Sequence, residues 1–148
     1  MTYPEPAVEA AISQVVPLQM NVKEEATKPV IERIRHVWTP DIRLIGPDSF
    51  DYGGWNGYLP PFEYIPQLLV TRAMATLRQH QFEAAATLYE DVLKRYPTSF
   101  AAPEALYFLG VARYEASGEG GDLTRPWHQL QSRYPASNWR IRQSFVEK

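Results

Sequence analysis

A chain of 148 residues with a formal charge of -2 can bury one moderate core, as one ordinary domain or two small ones. Residues 1–60 carry eight acids and five bases and residues 61–148 nine and ten, so neither half has the basic field of a nucleic-acid binder, and no nucleic-acid partner is expected. Cysteine is absent, which excludes disulfides, thiolate nucleophiles, iron–sulfur clusters and most zinc sites.

The first residues, Met1 to Pro6, hold no basic region followed by an apolar stretch, so no signal peptide is predicted. No run approaches the ~20 apolar residues that cross a bilayer. The expected location is therefore cytoplasmic, without a membrane partner.

Val8, Ala11, Ile12 and Val15 follow helical spacing and predict a helix over Pro4 to Gln14. Val16 to Val22 is a short apolar run with partial alternation and predicts a strand. Its Pro17 cannot donate a ladder hydrogen bond, which confines it to a strand start or an edge. After a polar connection from Lys23 to Lys28, Pro29 suits the first turn of a helix whose apolar stripe is Val30, Ile31, Ile34 and Val37. Thr39-Pro40 breaks that helix. Asp41 to Ile45 predicts a strand, Gly46 to Ser49 a turn, and Phe50 to Tyr58 a second strand antiparallel to the first. Gly53-Gly54 within it marks a bulge or a close backbone approach.

From Phe62 onward the spacing is helical. Helices are predicted over 62–79, 82–95, 101–116 and 122–133, with a short one after Ser137. Gly118, Gly120 and Gly121 mark a flexible loop. The run Arg95-Tyr96-Pro97-Thr98-Ser99 returns as Arg133-Tyr134-Pro135-Ala136-Ser137, a spacing of 38 residues. In each copy a helix ends before proline and a serine stands ready to cap the next. Such a period predicts stacked helical hairpins.

This repeat resembles the tetratricopeptide family, in which small residues permit close helix crossing and proline closes the unit. Ala85, Tyr89, Val92 and Pro97 match one copy, although Arg72 and Ala73 stand where that family has leucine and glycine. Leu106, Leu109 and Gly110, then Leu123, Trp127, Leu130 and Pro135, match a second copy with a one-residue insertion. The first half, roughly residues 2–70, resembles the later part of a thioredoxin-like domain. The order of Thr2-Tyr3-Pro4, a strand at 16–22, a helix, Thr39-Pro40, a hairpin and Gly57-Tyr58-Leu59-Pro60-Pro61 carries the likeness.

The resemblance implies an α+β fold: a truncated βαββα unit over 1–70, followed by helical hairpins over 62–148, with helix 62–79 shared. It also implies a cis peptide at Pro40. The chain begins where that superfamily has already passed its Cys-x-x-Cys, and the strand it lacks would lie between those at 16–22 and 41–46. Three outcomes follow for the gap. The flanking strands pair directly, a second copy of the chain supplies the contact, or a different polypeptide fills it. Each exposed edge is a site for strand addition.

Partner-binding candidates are Trp38, Thr39 and Pro40, whose turn binds extended peptides in thioredoxin-like proteins, and the aromatic residues Tyr52, Trp55 and Tyr58, with Phe62 in the same group. The competing reading makes the turn an inherited helix stop that places a buried tryptophan, and makes the aromatics core or subunit interface. His36, His80 and His128 have no second ligand-type residue at metal spacing, and His36 with Glu32 is an i,i+4 helix pair. No metal or cofactor is expected. Ser49, Ser99 and Ser137 lack a nucleophile context, and Gly118 to Gly121 lacks the Gly-Lys-Ser/Thr of a phosphate loop. No catalytic residue is assigned, and the chain is not expected to be an enzyme. The expected function is a non-catalytic interaction or assembly protein, homo-oligomeric or bound to a protein or peptide. The alternative is a redox accessory protein, or a fragment of a thiol oxidoreductase whose cysteines lie elsewhere.

Overall fold

The computed structural model describes residues 5–147; the expected helix start at Pro4 and the Thr2-Tyr3 part of the resemblance lie outside them. The fold is mixed α+β, mostly helical, with one small antiparallel sheet among the described residues. The chain divides into two compact units, residues 1–61 and 62–148.

In the first unit, helix α1 spans Pro6–Ile12, with proline in its first turn where a missing N–H costs nothing, and it buries Val8. The strand expected at 16–22 does not form. Residues 16–21 have no regular structure, and Val16 and Leu18 are 85% and 78% exposed. β-structure is a ladder between two backbones, and no described segment pairs with this one. The expected βαββα order therefore lacks its first strand. Direct pairing of the two flanking strands is ruled out as well.

A 3-10 turn, Glu25–Thr27, leads into helix α2 (Lys28–Arg33). The predicted stripe continues to Val37, but the helix stops earlier: Arg35 takes a positive φ of 51°, and Val37 is left exposed. Strands β1 (Asp41–Ile45) and β2 (Asp51–Asn56) form the expected antiparallel hairpin, with Ile42 opposite Trp55 and Arg43 opposite Gly54. The register shifts between Arg43 and Ile45, as the Gly53-Gly54 pair predicts. Gly54 has to be glycine, because a Cβ there would fall inside the Ile42 carbonyl.

The second unit is built from α3 (Pro61–Arg78), α4 (Phe82–Arg95), α5 (Ala102–Ser117), α6 (Gly120–Arg133) and the short α7 (Asn138–Arg142), followed by a 3-10 turn over Ser144–Glu147. Short connections make successive helices antiparallel. Glu63, in the first turn of α3, accepts a 2.9 Å hydrogen bond from the Phe100 amide beyond the end of α4, which fits that reversal.

The core of this unit is lined by Val70 and Ala73, by Ala85, Tyr89 and Val92, by Ala105, Leu106 and Leu109, and by Trp127 and Leu130. The glycines after α5 are not a flexible loop. Gly118 is the left-handed cap of α5 (φ 75°), its N–H donating to the Tyr114 carbonyl, while Gly120 and Gly121 open α6. Ser137 caps α7 by accepting from the Trp139 amide at 3.2 Å. Ser99 does not play the equivalent part. It is buried and donates instead to the Tyr96 carbonyl.

Candidate interaction surface of the strand-bearing unit

The expected site residues Trp38, Thr39 and Pro40 lie in the turn that enters β1, and the Thr39–Pro40 peptide is cis. Trp38 is 68% exposed, against the reading of a buried tryptophan. Its backbone is held while its ring is free, because its carbonyl accepts from the Asn56 amide side chain at 3.4 Å.

His36 does not form the i,i+4 pair with Glu32, since α2 ends before reaching it. It folds over the turn instead. Its Nδ1 lies 3.3 Å from Asp41 Oδ2, and its Nε2 lies 3.2 Å from the Thr39 hydroxyl. A neutral imidazole satisfies both contacts when Nδ1–H donates to Asp41 and Nε2 accepts from Thr39. Arg43 closes the network by donating from Nε to Asp41 Oδ1 at 2.6 Å and from Nη1 to Asp51 Oδ2 at 3.1 Å.

The Asp41 side chain is only 4% exposed. Burial pushes its carboxyl pKa up, but the hydrogen bonds from Arg43, His36 and Asn56 outweigh that and hold it below the ordinary value. The same carboxylate raises the pKa of the Arg43 guanidinium.

The order hydroxyl, imidazole, carboxylate also occurs in nucleophile relays. Here the carboxylate is shared with Arg43, and the hollow beside Thr39 is shallow and open, lined by His36, Val37, Trp38 and Thr39. The arrangement fastens the turn to the hairpin. It leaves Trp38 and Val37, 84% exposed, as an apolar prow on a fixed backbone.

The aromatic candidates separate. Tyr52 is half-buried and meets Phe50 edge-on at 4.8 Å. Trp55 is half-buried in β2, and Tyr58 is 63% exposed beyond it. Of the expected residues Trp38, Thr39, Tyr58 and Phe62 are exposed, while Pro40, Tyr52 and Trp55 are half-buried.

The hairpin hydrogen bonds identify a second feature. Gly57 N–H donates to the Pro40 carbonyl and Gly46 N–H to the Phe50 carbonyl, both at 2.8 Å. Each bond joins directly opposite residues, so Pro40, Ile42 and Gly46 turn their backbone groups toward β2. Asp41, Arg43 and Ile45 then turn theirs outward, where no backbone partner among the described residues meets them. Strand β1 has an open edge.

Sequence reasoning missed the His36–Asp41–Arg43 network, whose signal is a histidine five residues before an aspartate across a proline turn. It also took residues 16–22 for a formed strand. Among the described residues no three His, Asp or Glu side chains are placed to hold a metal ion, and no helix is long and apolar enough to cross a membrane. No protein-family model matches the chain, and neither a curated protein nor a solved structure matches it.

Proposed function

We propose that the chain is a non-catalytic interaction protein that binds an extended peptide or partner strand along the outer edge of β1, beside Trp38. The single observation that carries this reading is the row of outward backbone groups at Asp41, Arg43 and Ile45, left without a described partner next to an exposed tryptophan whose carbonyl is held by Asn56. Main-chain pairing would supply affinity, and Trp38, Val37 and Tyr58 would supply selection. The ion pairs of Arg43 with Asp41 and Asp51 keep the edge in strand geometry before a partner arrives, which lowers the ordering cost of binding.

On this reading the strand-bearing unit is the truncated relative of a thioredoxin-like domain, and the helices are degenerate tetratricopeptide-like hairpins. Three features support the second comparison. Ala85 and Tyr89 are fully buried on α4. Gly110 lies against α6, where a Cβ would come within 2.7 Å of the Leu123 carbonyl. The two Tyr-Pro copies also touch, through Tyr134 and Pro97.

The test is selection of linear peptides from a random displayed library against the whole chain, followed by binding to Trp38→Ala and Arg43→Pro variants. Proline at 43 removes an outward N–H and the Arg43 ion pairs to Asp41 and Asp51, while leaving the backbone ladder to β2 in place. Arg43→Ala, which loses only the ion pairs, is the control that should lose less. Peptides that bind the natural chain and lose at least tenfold in affinity on both variants support the proposal. Failure to select any, or equal binding by both variants, overturns it.

A further inference from the structure

The open edge of β1 has a counterpart in the same unit. Residues Val16, Leu18, Met20 and Val22 alternate with Pro17, Gln19 and Asn21, and the four apolar side chains are 85%, 78%, 41% and 41% exposed. The last backbone hydrogen bond of the α1 turn is made by the Val15 amide, and none to the backbone of residues 16–20 is found among the described residues. The unit thus holds a strand edge without a strand and an exposed segment of alternating apolar residues without an edge.

We infer that the occupant of the β1 edge is the 16–22 segment of a second copy of this chain, exchanged reciprocally to close a symmetric dimer. The inference rests on the interaction reading above and names its partner.

Three observations fix how the segment would lie. Backbone groups alternate sides along an extended chain, so residue 17 and residue 18 face opposite edges. Pro17 has no N–H to give, and the Asn21 carbonyl already accepts from the Glu24 amide and the Thr27 hydroxyl. Both are odd-numbered, and Val22 already lies in the turn that the Asn21 carbonyl closes, so only the edge formed by Leu18 and Met20 is free to pair, with Pro17 left on the outside as an edge strand tolerates.

Side-chain matching then selects the direction. Were the segment antiparallel to β1, its apolar row would lie on the face of Asp41 and Arg43. In a parallel pair the outward residues of one strand sit between the bonded residues of the other, which puts Leu18 and Met20 on the face of Ile42 and Leu44. Ile42 and Leu44 are the half-buried apolar members of β1, whereas on the other face Arg43 and Ile45 are exposed and the buried side chain of Asp41 is a carboxylate engaged by Arg43 and His36. Parallel addition therefore satisfies backbone and side chains together. Reciprocal exchange uses both features in each copy, and a closed two-fold arrangement leaves neither over.

The natural absence of cysteine makes the test clean, since any introduced thiol is unique. Gln19→Cys and Ile45→Cys chains are mixed and mildly oxidised, and the mass of the natural chain is followed by light scattering over a range of concentrations. The expected results are a species of twice 17.0 kDa, a disulfide between unlike variants well above that between like ones, and at least a tenfold weaker dimer for the Leu18→Lys/Met20→Lys chain. Leu18 and Met20 are exposed in the single chain, so at concentrations where both proteins are monomeric the melting temperature of the variant should not fall below that of the natural chain. A monomer at every concentration overturns the inference, as does a dimer indifferent to the double lysine change. If the chain is monomeric yet still captures displayed peptides at the β1 edge, the interaction reading stands and the second-copy assignment is lost.

Discussion

The hydroxyl of Tyr134 donates to the carbonyl of Pro97 at 2.8 Å, joining the two copies of the Tyr-Pro repeat across 37 residues of sequence. Each tyrosine also lies beside the guanidinium of the preceding arginine, Arg95 over Tyr96 at 5.0 Å and Arg133 over Tyr134 at 5.4 Å. The repeat is thus a piece of architecture, with the later copy reading the position of the earlier one.

Tyr134→Phe removes that bond and keeps the ring. A net hydrogen bond contributes about 1 kcal/mol, so the variant should unfold at lower urea with an unchanged denaturant slope. Tyr96→Phe, whose hydroxyl accepts from Arg95 and reaches no other helix end, should lose less.

Gly110 sits where α5 meets α6. A Cβ there would approach the Leu123 carbonyl to 2.7 Å and Trp127 Nε1 to 3.0 Å. That indole donates to the Tyr107 carbonyl at 2.9 Å, so it has little freedom to retreat. Gly110→Ala should therefore cost about 1–3 kcal/mol despite alanine's better helix propensity, measured by thermal and urea unfolding.

Burial raises the Glu104 carboxyl pKa, a shift that the Arg142 charge only partly opposes. A carboxylate with a raised folded pKa destabilises the fold once it ionises: the native state is most favoured below the unfolded value near 4.5 and loses ground as pH rises through the folded one. Glu104→Gln should accordingly raise the melting temperature at pH 7 and leave it nearly unchanged at pH 4.

Asp41 has the opposite sign. Its carboxyl pKa is held below 3.8, so its contribution is present above that value and lost as pH falls through the lower folded one. Hydrogen–deuterium exchange across residues 36–56 should show the hairpin losing protection below about pH 4. Asp41→Asn should lose about 2 kcal/mol of local stability at neutral pH, through its charged hydrogen bonds, and show a flatter acid response.

Tyr89 is fully buried and its hydroxyl has no hydrogen-bond partner among the described residues. Burial also drives its pKa strongly upward. An unsatisfied buried hydroxyl costs about 1–3 kcal/mol, so Tyr89→Phe should melt at the same temperature or higher. A clear loss of stability would reveal a partner for that oxygen.

Much of the helical unit was legible because helix formation is local. The 3.6-residue spacing of Ala85, Tyr89 and Val92 places α4 at Phe82–Arg95, the bounds its pattern predicts. The hairpin was legible for a similar reason, since Gly46 to Ser49 and the strands it joins are neighbours in sequence. Errors arose where a local pattern had two continuations. Val30, Ile31, Ile34 and Val37 continue a helical stripe on paper, but the left-handed Arg35 ends α2 and frees His36 to bind Asp41. The glycines at 118, 120 and 121 are loop-like by composition, yet one caps α5 and two begin α6.

The sequence by itself determined the amphipathic helices, the turn at Thr39-Pro40, the β-hairpin and the absence of any thiol, because each depends on residues close along the chain or on composition alone. Tertiary structure alone decided whether Val16 to Val22 becomes a strand, which carboxylate His36 meets, and which edge of β1 stays open. Those outcomes depend on a second backbone or side chain arriving from elsewhere. An alternating run of apolar residues encodes the capacity to pair, while the hydrogen bonds that make it a strand belong to a partner.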